Sequence, residues 1–333
     1  MRIGETIPAS SRVEVADYLR GFAALAVCCF HMTHAGTLIA WGWLASLTQW
    51  GWLGVEVFFV ISGFVIPMAL HASHFQRNDY SRFLVKRIAR LEPPYLISLF
   101  LVITLGFFSS RLPGYRGEPF HFDLANTLGH IGYLNGFLGW TWADPVYWSL
   151  AIEFQYYLSV GLLFPLLISR QSAVFALAVC ALLSLGALIP SRELIFIYLP
   201  LFALGITAFR WRIRNLHSWW DCAPIIFSLL LLFQQRDWQV TMVAVGTALI
   251  LAFVPNRTIV RSSWLGLISY SLYLVHVPVG GRVVNLASRF ATGPWSQLGA
   301  CLLGLIASLL VAILFYLAVE RPARRWSSRL STK

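Results

Sequence analysis

Arg20 and His31 stand eleven positions apart in a stretch, Val15–Thr37, that is otherwise almost wholly apolar. In a helix this spacing separates them by about 16 Å along the axis, roughly half of a bilayer's hydrocarbon core. Ionisable side chains at that depth cost several kcal/mol unless they are paired or used, so each is a candidate functional residue. An imidazole deep in the slab suits a general base or a nucleophile, and an arginine nearer one face suits an anion. Two carboxylates extend the set: Glu56 in GVEVFFVISGF and Glu153 in WSLAIEFQYY. Carboxylates beside an imidazole orient the ring and stabilise its protonated form, which favours general-base chemistry. The alternative is a buried polar network that only locks helices together.

A second set is basic. Lys86, Arg87 and Arg90 lie in RFLVKRIARLEPPY, and positions 87 and 90 share a helix face. Paired guanidinium groups bind phosphate bidentately. Topology or contact with anionic lipid explains such a cluster equally well. A third set is aromatic: Trp41, Trp43, Trp50, Trp52, Trp140, Trp142 and Trp148. Indoles stack on sugar rings, but they also populate the membrane interface. Trp140, Trp142 and Trp148 stand apart because they flank Glu153 and a Gly-, Asn- and His-rich segment. His276, alone on an apolar stretch (SYSLYLVH), reads as a structural histidine. The five cysteines show no metal-ligand spacing and read as small core residues, so neither a metal nor a disulfide framework is expected.

The elements that must carry these residues are membrane helices. The chain has 333 residues, 58% hydrophobic and 12% charged, with mean hydropathy +0.69. A soluble domain carries about 25% charged residues. Apolar windows fall at about 16–37, 51–70, 91–108, 146–168, 172–190, 194–209, 219–234, 238–255, 264–284 and 297–318. Segment 125–142 (ANTLGHIGYLNGFLGWTW) is apolar but rich in Gly, Asn, His and Trp. If it does not cross, the 25 Lys and Arg residues divide 19 to 6 between the two sides. The 19 include Arg210, Arg212 and Arg214 and the basic C-terminus. Full crossing would send these outside, against the positive-inside rule.

The expectation is therefore an all-α polytopic bundle of about ten transmembrane helices plus one re-entrant or interfacial segment, with both termini cytoplasmic. It forms a single domain over 1–333, with cytoplasmic tails at 1–14 and 320–333. The first apolar stretch lacks a cleavage site and is expected to be retained. The net charge of +11 sits in short loops, not on a solvated face, which argues against nucleic acid. With this orientation Arg20 lies near the cytoplasmic face and His31 in the outer half. Glu56 and Glu153 then fall about 9 and 10 Å below the outer surface, at a depth similar to His31.

Six ordered motifs resemble the acyltransferase-3 family of bacterial membrane-bound O-acyltransferases. They are Arg20 through His31, GVEVFFVISGF (54–64), the R-x-x-R pair at 87 and 90 followed by Pro94–Tyr95, WSLAIEFQYY (148–157), SYSLYLVH (269–276) and ERP (320–322). Glu56 departs from the pattern, which more often has Asp there, and the secreted esterase-like domain of some members is not expected here. The resemblance implies transfer of an acyl group, usually acetyl, from cytoplasmic acyl-CoA to a hydroxyl of a surface or exported glycan, at a bacterial inner membrane. It implies catalysis by His31 with Glu153 and Glu56. Acyl-CoA would be bound by Arg20, Lys86, Arg87 and Arg90, and the carbohydrate acceptor around Trp140, Trp142, Trp148, Ser149 and Tyr157. A transporter or lipid-linked-glycan flippase is the alternative, disfavoured because no internal repeat is visible.

Overall fold

A computed structural model describes residues 13–34, 42–113, 120–214, 218–255 and 263–330. The N-terminal tail, Arg2, Arg12, Trp41, Arg116, Arg257, Arg261 and Lys333 lie outside the described residues, as do the side chains of Trp43 and Arg214. Among the described residues all regular structure is helical. The α-helices are α1 (Glu14–His34), α2 (Gly42–Thr48), α3 (Gly54–Ala72), α4 (Tyr80–Ser109), α5 (Leu124–Gly129), α6 (Tyr147–Leu167) and α7 (Ser172–Leu188). They continue as α8 (Leu199–Arg214), α9 (Ala223–Gln235), α10 (Trp238–Phe253), α11 (Trp264–Val275), α12 (Arg282–Ala287), α13 (Pro294–Phe315) and α14 (Arg321–Arg329).

Among the described residues each of the ten apolar windows is mostly helical, and seven helical stretches are long and apolar enough to cross a membrane. α7 and α10 are apolar but shorter, with 17 and 16 residues, and α9 has 13. α9 stops where Arg236 turns extended (φ −136°, ψ 165°) and pairs with Glu56. Segment 125–142 forms no long helix. It begins as the six-residue α5, capped by the Asp123 side chain, which accepts from Asn126 N at 3.1 Å. One 3₁₀ turn follows, and Tyr133 then takes a left-handed conformation (φ 56°). The last apolar helix does not end near 318. A π-helical turn, Tyr316–Glu320, carries α13 directly into α14, so much of the expected C-terminal tail is helical.

The helices form two compact units interleaved along the chain. The first comprises Met1–Ala23, Leu53–Leu84 and Ile152–Leu267, and the second Ala24–Trp52, Val85–Ala151 and Ile268–Lys333. In the first unit, α3 and α8 touch backbone to backbone. A Cβ added at Gly63 would collide with the Phe202 carbonyl, and one at Gly205 with the Val60 carbonyl. Without a hydrophobic drive between helices in lipid, such close approach supplies the packing energy.

Side chains show that the helices of this unit alternate in direction. Arg210 donates to the carbonyls of Leu167 and Ser169 (3.2 and 2.9 Å) and pairs with Asp221 (3.3 Å). Arg212 donates to the Leu251 and Val254 carbonyls (2.7 and 3.2 Å). The C-termini of α6, α8 and α10 therefore meet at one end, where cationic side chains satisfy carbonyls that have no helical partner. At the opposite end Gln155 bridges Glu193 and Ile195, and Gln235 donates to the Gly186 carbonyl.

In the second unit, Ser327 donates to the Lys86 carbonyl (2.8 Å) and Ser271 to Glu320 (2.6 Å), joining α4, α11 and α14 at one end. At the other end Arg282 donates to Ser109 (3.1 Å), and Arg289 to the Pro113 carbonyl (3.3 Å).

Candidate active site

His31 lies in the last turn of α1, half-buried. Its ring stands 5.2 Å, centroid to centroid, from that of His276, which is fully buried. His276 opens a π-helical stretch, His276–Gly281, a distortion that often marks functional sites. Its Nδ1 is bonded to the Leu272 and Tyr273 carbonyls at 3.0 and 2.9 Å. Carbonyls only accept, so Nδ1 carries the hydrogen and Nε2 of the neutral ring is an acceptor. That Nε2 is buried and has no hydrogen-bond partner among the described residues. His276 is thus not a satisfied structural histidine. It presents a lone pair on the edge away from its own helix, beside His31.

The chain of polar groups continues. The Tyr273 ring lies 5.9 Å from His276, and its hydroxyl shares a 2.6 Å hydrogen bond with Ser149 at the start of α6. Beside them the 124–146 segment is stitched together by its own polar side chains. His130 Nδ1 donates to the Asn126 carbonyl (2.9 Å), and Ala143 N donates to His130 Nε2 (3.1 Å). Burial pushes this histidine below its ordinary titration range. Asp144, 2% exposed, accepts from Val146 N, and burial pushes its carboxyl up to about 7 against the opposing pull of Arg282. Trp142 packs edge-on to His130, and Trp140 packs close to Gly129, so both indoles shape the segment as well as face outward. Trp148 is half-buried.

The basic cluster resolves into a pocket at the opposite end of the same unit. Lys86, Arg90, Arg324, Ser327 and Ser328 line a cavity of about 340 Å³. Lys86 and Arg90 sit one turn apart on α4, while half-buried Arg87 is not among the lining residues. Glu320 holds the wall in place, accepting from Ser271 and pairing with Arg324 at 3.5 Å. Arg324, Ser327 and Ser328 are not among the site residues expected from the sequence. Their signal was the run of arginines directly after ERP.

The other predicted residues belong to the first unit. Glu153 accepts a 2.7 Å hydrogen bond from Ser62 of α3. Glu56 is 1% exposed and is held by Arg236 through one oxygen, while its Oε2 is buried without a partner among the described residues. Arg236 also lies 5.3 Å from the Tyr198 ring. Arg236 reads from sequence only as a loop charge, and the need of buried Glu56 for a counter-ion is the signal that could have found it. Tyr157 is buried, and Arg20 is half-buried one turn after Asp17. Arg20 and His31 share α1, and eleven residues bring them to within about 20° around its axis, on one face. Among the described residues no three His, Cys, Asp or Glu side chains group as a metal site requires.

Comparison with known proteins decides the family. Residues 15–317 match the family model described as an acyltransferase domain. The chain belongs to the acyltransferase-3 family. Among its relatives is the O-acetyltransferase OatA of Staphylococcus aureus, 30% identical over 187 residues, covering 52% of this chain and 28% of OatA. Another, named "Putative membrane-bound transacylase BcsY", from Komagataeibacter xylinus, is 29% identical over 350 residues, covering 94% and 83%. A third, "Putative peptidoglycan O-acetyltransferase YrhL" of Bacillus subtilis, is 26% identical over 361 residues, covering 92% and 54%. The family member described here thus spans about a quarter of OatA and about half of YrhL. No solved structure matches it.

Proposed function

We propose that this protein is a membrane-bound O-acyltransferase that moves an acyl group, acetyl foremost, from cytoplasmic acyl-CoA to a hydroxyl of a surface or exported glycan. The observation that carries the proposal is His31 beside the buried, single-tautomer His276. Family membership supports the reaction class, and the named activities of OatA and YrhL support a cell-wall or surface glycan as acceptor.

In this reading ten spans cross the inner membrane and both termini are cytoplasmic. The end of the first unit that bears Arg210 and Arg212 faces the cytoplasm, as does the end of the second that bears Lys86 and Arg90, and segment 124–146 lies on the outer side. The phosphates of the donor bind Lys86, Arg90 and Arg324, with Arg87 and Arg20 as further cationic contacts. His31 takes the proton from the acceptor hydroxyl as its oxygen attacks the thioester carbonyl. The C–S bond breaks, an ester forms, and the proton passes to the departing sulfur, leaving free thiol. His276 Nε2, without a partner among the described residues, stands beside the His31 ring as an acceptor available to hold its N–H and leave the other nitrogen basic. Glu153, held by Ser62, and Glu56, held by Arg236, are the carboxylates assigned a part in catalysis. Trp140, Trp142, Trp148, Ser149 and Tyr157 contribute to acceptor binding.

Incubating membranes that contain the protein with labelled acetyl-CoA tests the proposal. Base-labile label on the glycan is expected. Translocation of a lipid-linked glycan with no need of acyl-CoA would support the flippase alternative instead. A variant route has His31 as nucleophile; trapping acetyl on His31 when donor is supplied without acceptor would favour it.

A further inference from the structure

Arg282 directly follows the π-helical stretch that His276 opens, and the proposed chemistry gives it no task. Its backbone N–H bonds the Val279 carbonyl, three residues back, where an α-helix would use that of Pro278, four back. The side chain of the same residue serves Pro278 instead, and Nη1 donates to that carbonyl at 2.8 Å. Nε donates to Ser109 Oγ, on the last residue of α4, at 3.1 Å. The buried Asp144 carboxyl also lies within range of its charge. A guanidinium presents its donors in fixed directions, so this one side chain ties the π-turn to α4.

The other side of the turn is held by packing. A Cβ added at Gly280 would collide with Ser308 Oγ and the Gly304 carbonyl, both on α13, and with Met32 Sδ. Met32 is buried and is the residue after His31 on α1. The turn therefore meets both histidines. It begins at His276, and its Gly280 seats the neighbour of His31. Val275, which leads into it, stands at φ −110° and ψ −12°, away from helical values. Relaxation to an α-helix would turn His276 relative to Gly280 and change the 5.2 Å between the two rings.

We infer that Arg282 is a positioning residue, which holds the π-turn in shape and through it sets His276 against His31. The inference rests on the role proposed above for that pair. Arg282 acts through the Pro278 carbonyl and takes no part in proton transfer.

Initial-rate kinetics on the full chain in membranes, normalised to folded protein, test this with labelled acetyl-CoA and the glycan. Arg282→Met keeps the length of the side chain and loses every donor. Its kcat is expected to fall about ten- to hundredfold, with KM for the donor within about twofold of wild type. Arg282→Lys keeps one donor for the Pro278 carbonyl and should lie within about fivefold of wild type. Ser109→Ala cuts only the tie to α4 and should lower kcat about threefold with KM unchanged. Adding Ser109→Ala to Arg282→Met should change nothing further, because the two share one interaction. Wild-type kcat in both Arg282→Met and Ser109→Ala, or equal kcat with Lys and Met at 282, would overturn the inference. Should Arg282→Met fail to accumulate, wild-type kcat in Ser109→Ala overturns it alone. Absence of acyl transfer by the wild-type protein overturns the reading of the site itself, and that result needs no variant.

Discussion

The Glu56–Arg236 pair allows a prediction in which the two partners are not equivalent. Glu56 is 1% exposed and has one oxygen on Arg236 and the other without a partner, whereas the Arg236 side chain is 19% exposed. Arg236→Ala leaves a carboxylate with no route to water, which costs about 3–5 kcal/mol. Glu56→Gln instead leaves a cation that can turn outward, and the loss should be about 1–2 kcal/mol. Once Glu56 is neutral, removing Arg236 adds little. The double variant should therefore lie near Glu56→Gln alone, with a coupling about as large as the Arg236→Ala cost itself, about 3–5 kcal/mol. Reversible unfolding in mixed micelles of rising SDS fraction, followed by helical circular dichroism, measures all four corners of the cycle. Arg236→Ala within about 1 kcal/mol of wild type, or additive single effects, would refute the argument that Glu56 depends on this one counter-ion.

Other outcomes follow from the same geometry. His276→Ala removes the acceptor beside His31 and should lower kcat more than tenfold with KM for the donor little changed, as initial-rate kinetics would show. Gly205→Ala drives a Cβ into the Val60 carbonyl and should destabilise by about 1–3 kcal/mol in thermal unfolding, while Gly246→Ala, with open space around it, should be nearly silent. Asp144 is raised to about 7 in the folded protein from an ordinary value near 3.8, so the folded state holds the extra proton between these limits. Its contribution to stability is therefore present at low pH and lost as pH rises towards 7. Asp144→Asn should accordingly raise the melting temperature at pH 8 more than at pH 5, and an equal shift at both would contradict the assignment.

Periodicity and charge made the helical windows legible, because a bilayer permits few alternatives to a helix and each window carries its own signal. The basic residues Arg210 and Arg212 do gather at one end of their unit, as alternation of spans demands. Segment 125–142 was also readable as something other than a long helix, since Asn126, His130 and Asn135 need partners that a lipid-facing helix cannot provide. Partnerships were harder to read. His276 looks alike in sequence whether its Nε2 is bonded or free, and only the π-turn sets that nitrogen apart from its own helix. Arg236 joins Glu56 across 180 positions, and Ser62 joins Glu153 across 91, distances at which one sequence carries no pairing signal. The basic pocket was half visible: α4 announced Lys86 and Arg90, whereas α14 looked like a polar tail.

The most direct test of the central claim compares wild type and His31→Ala at matched abundance in the same membranes, supplied with labelled acetyl-CoA. The account predicts ester-linked label on the glycan with wild type. With His31→Ala it predicts loss of label by at least about a hundredfold, while acetyl-CoA binding persists. Equal labelling by the two proteins would contradict it.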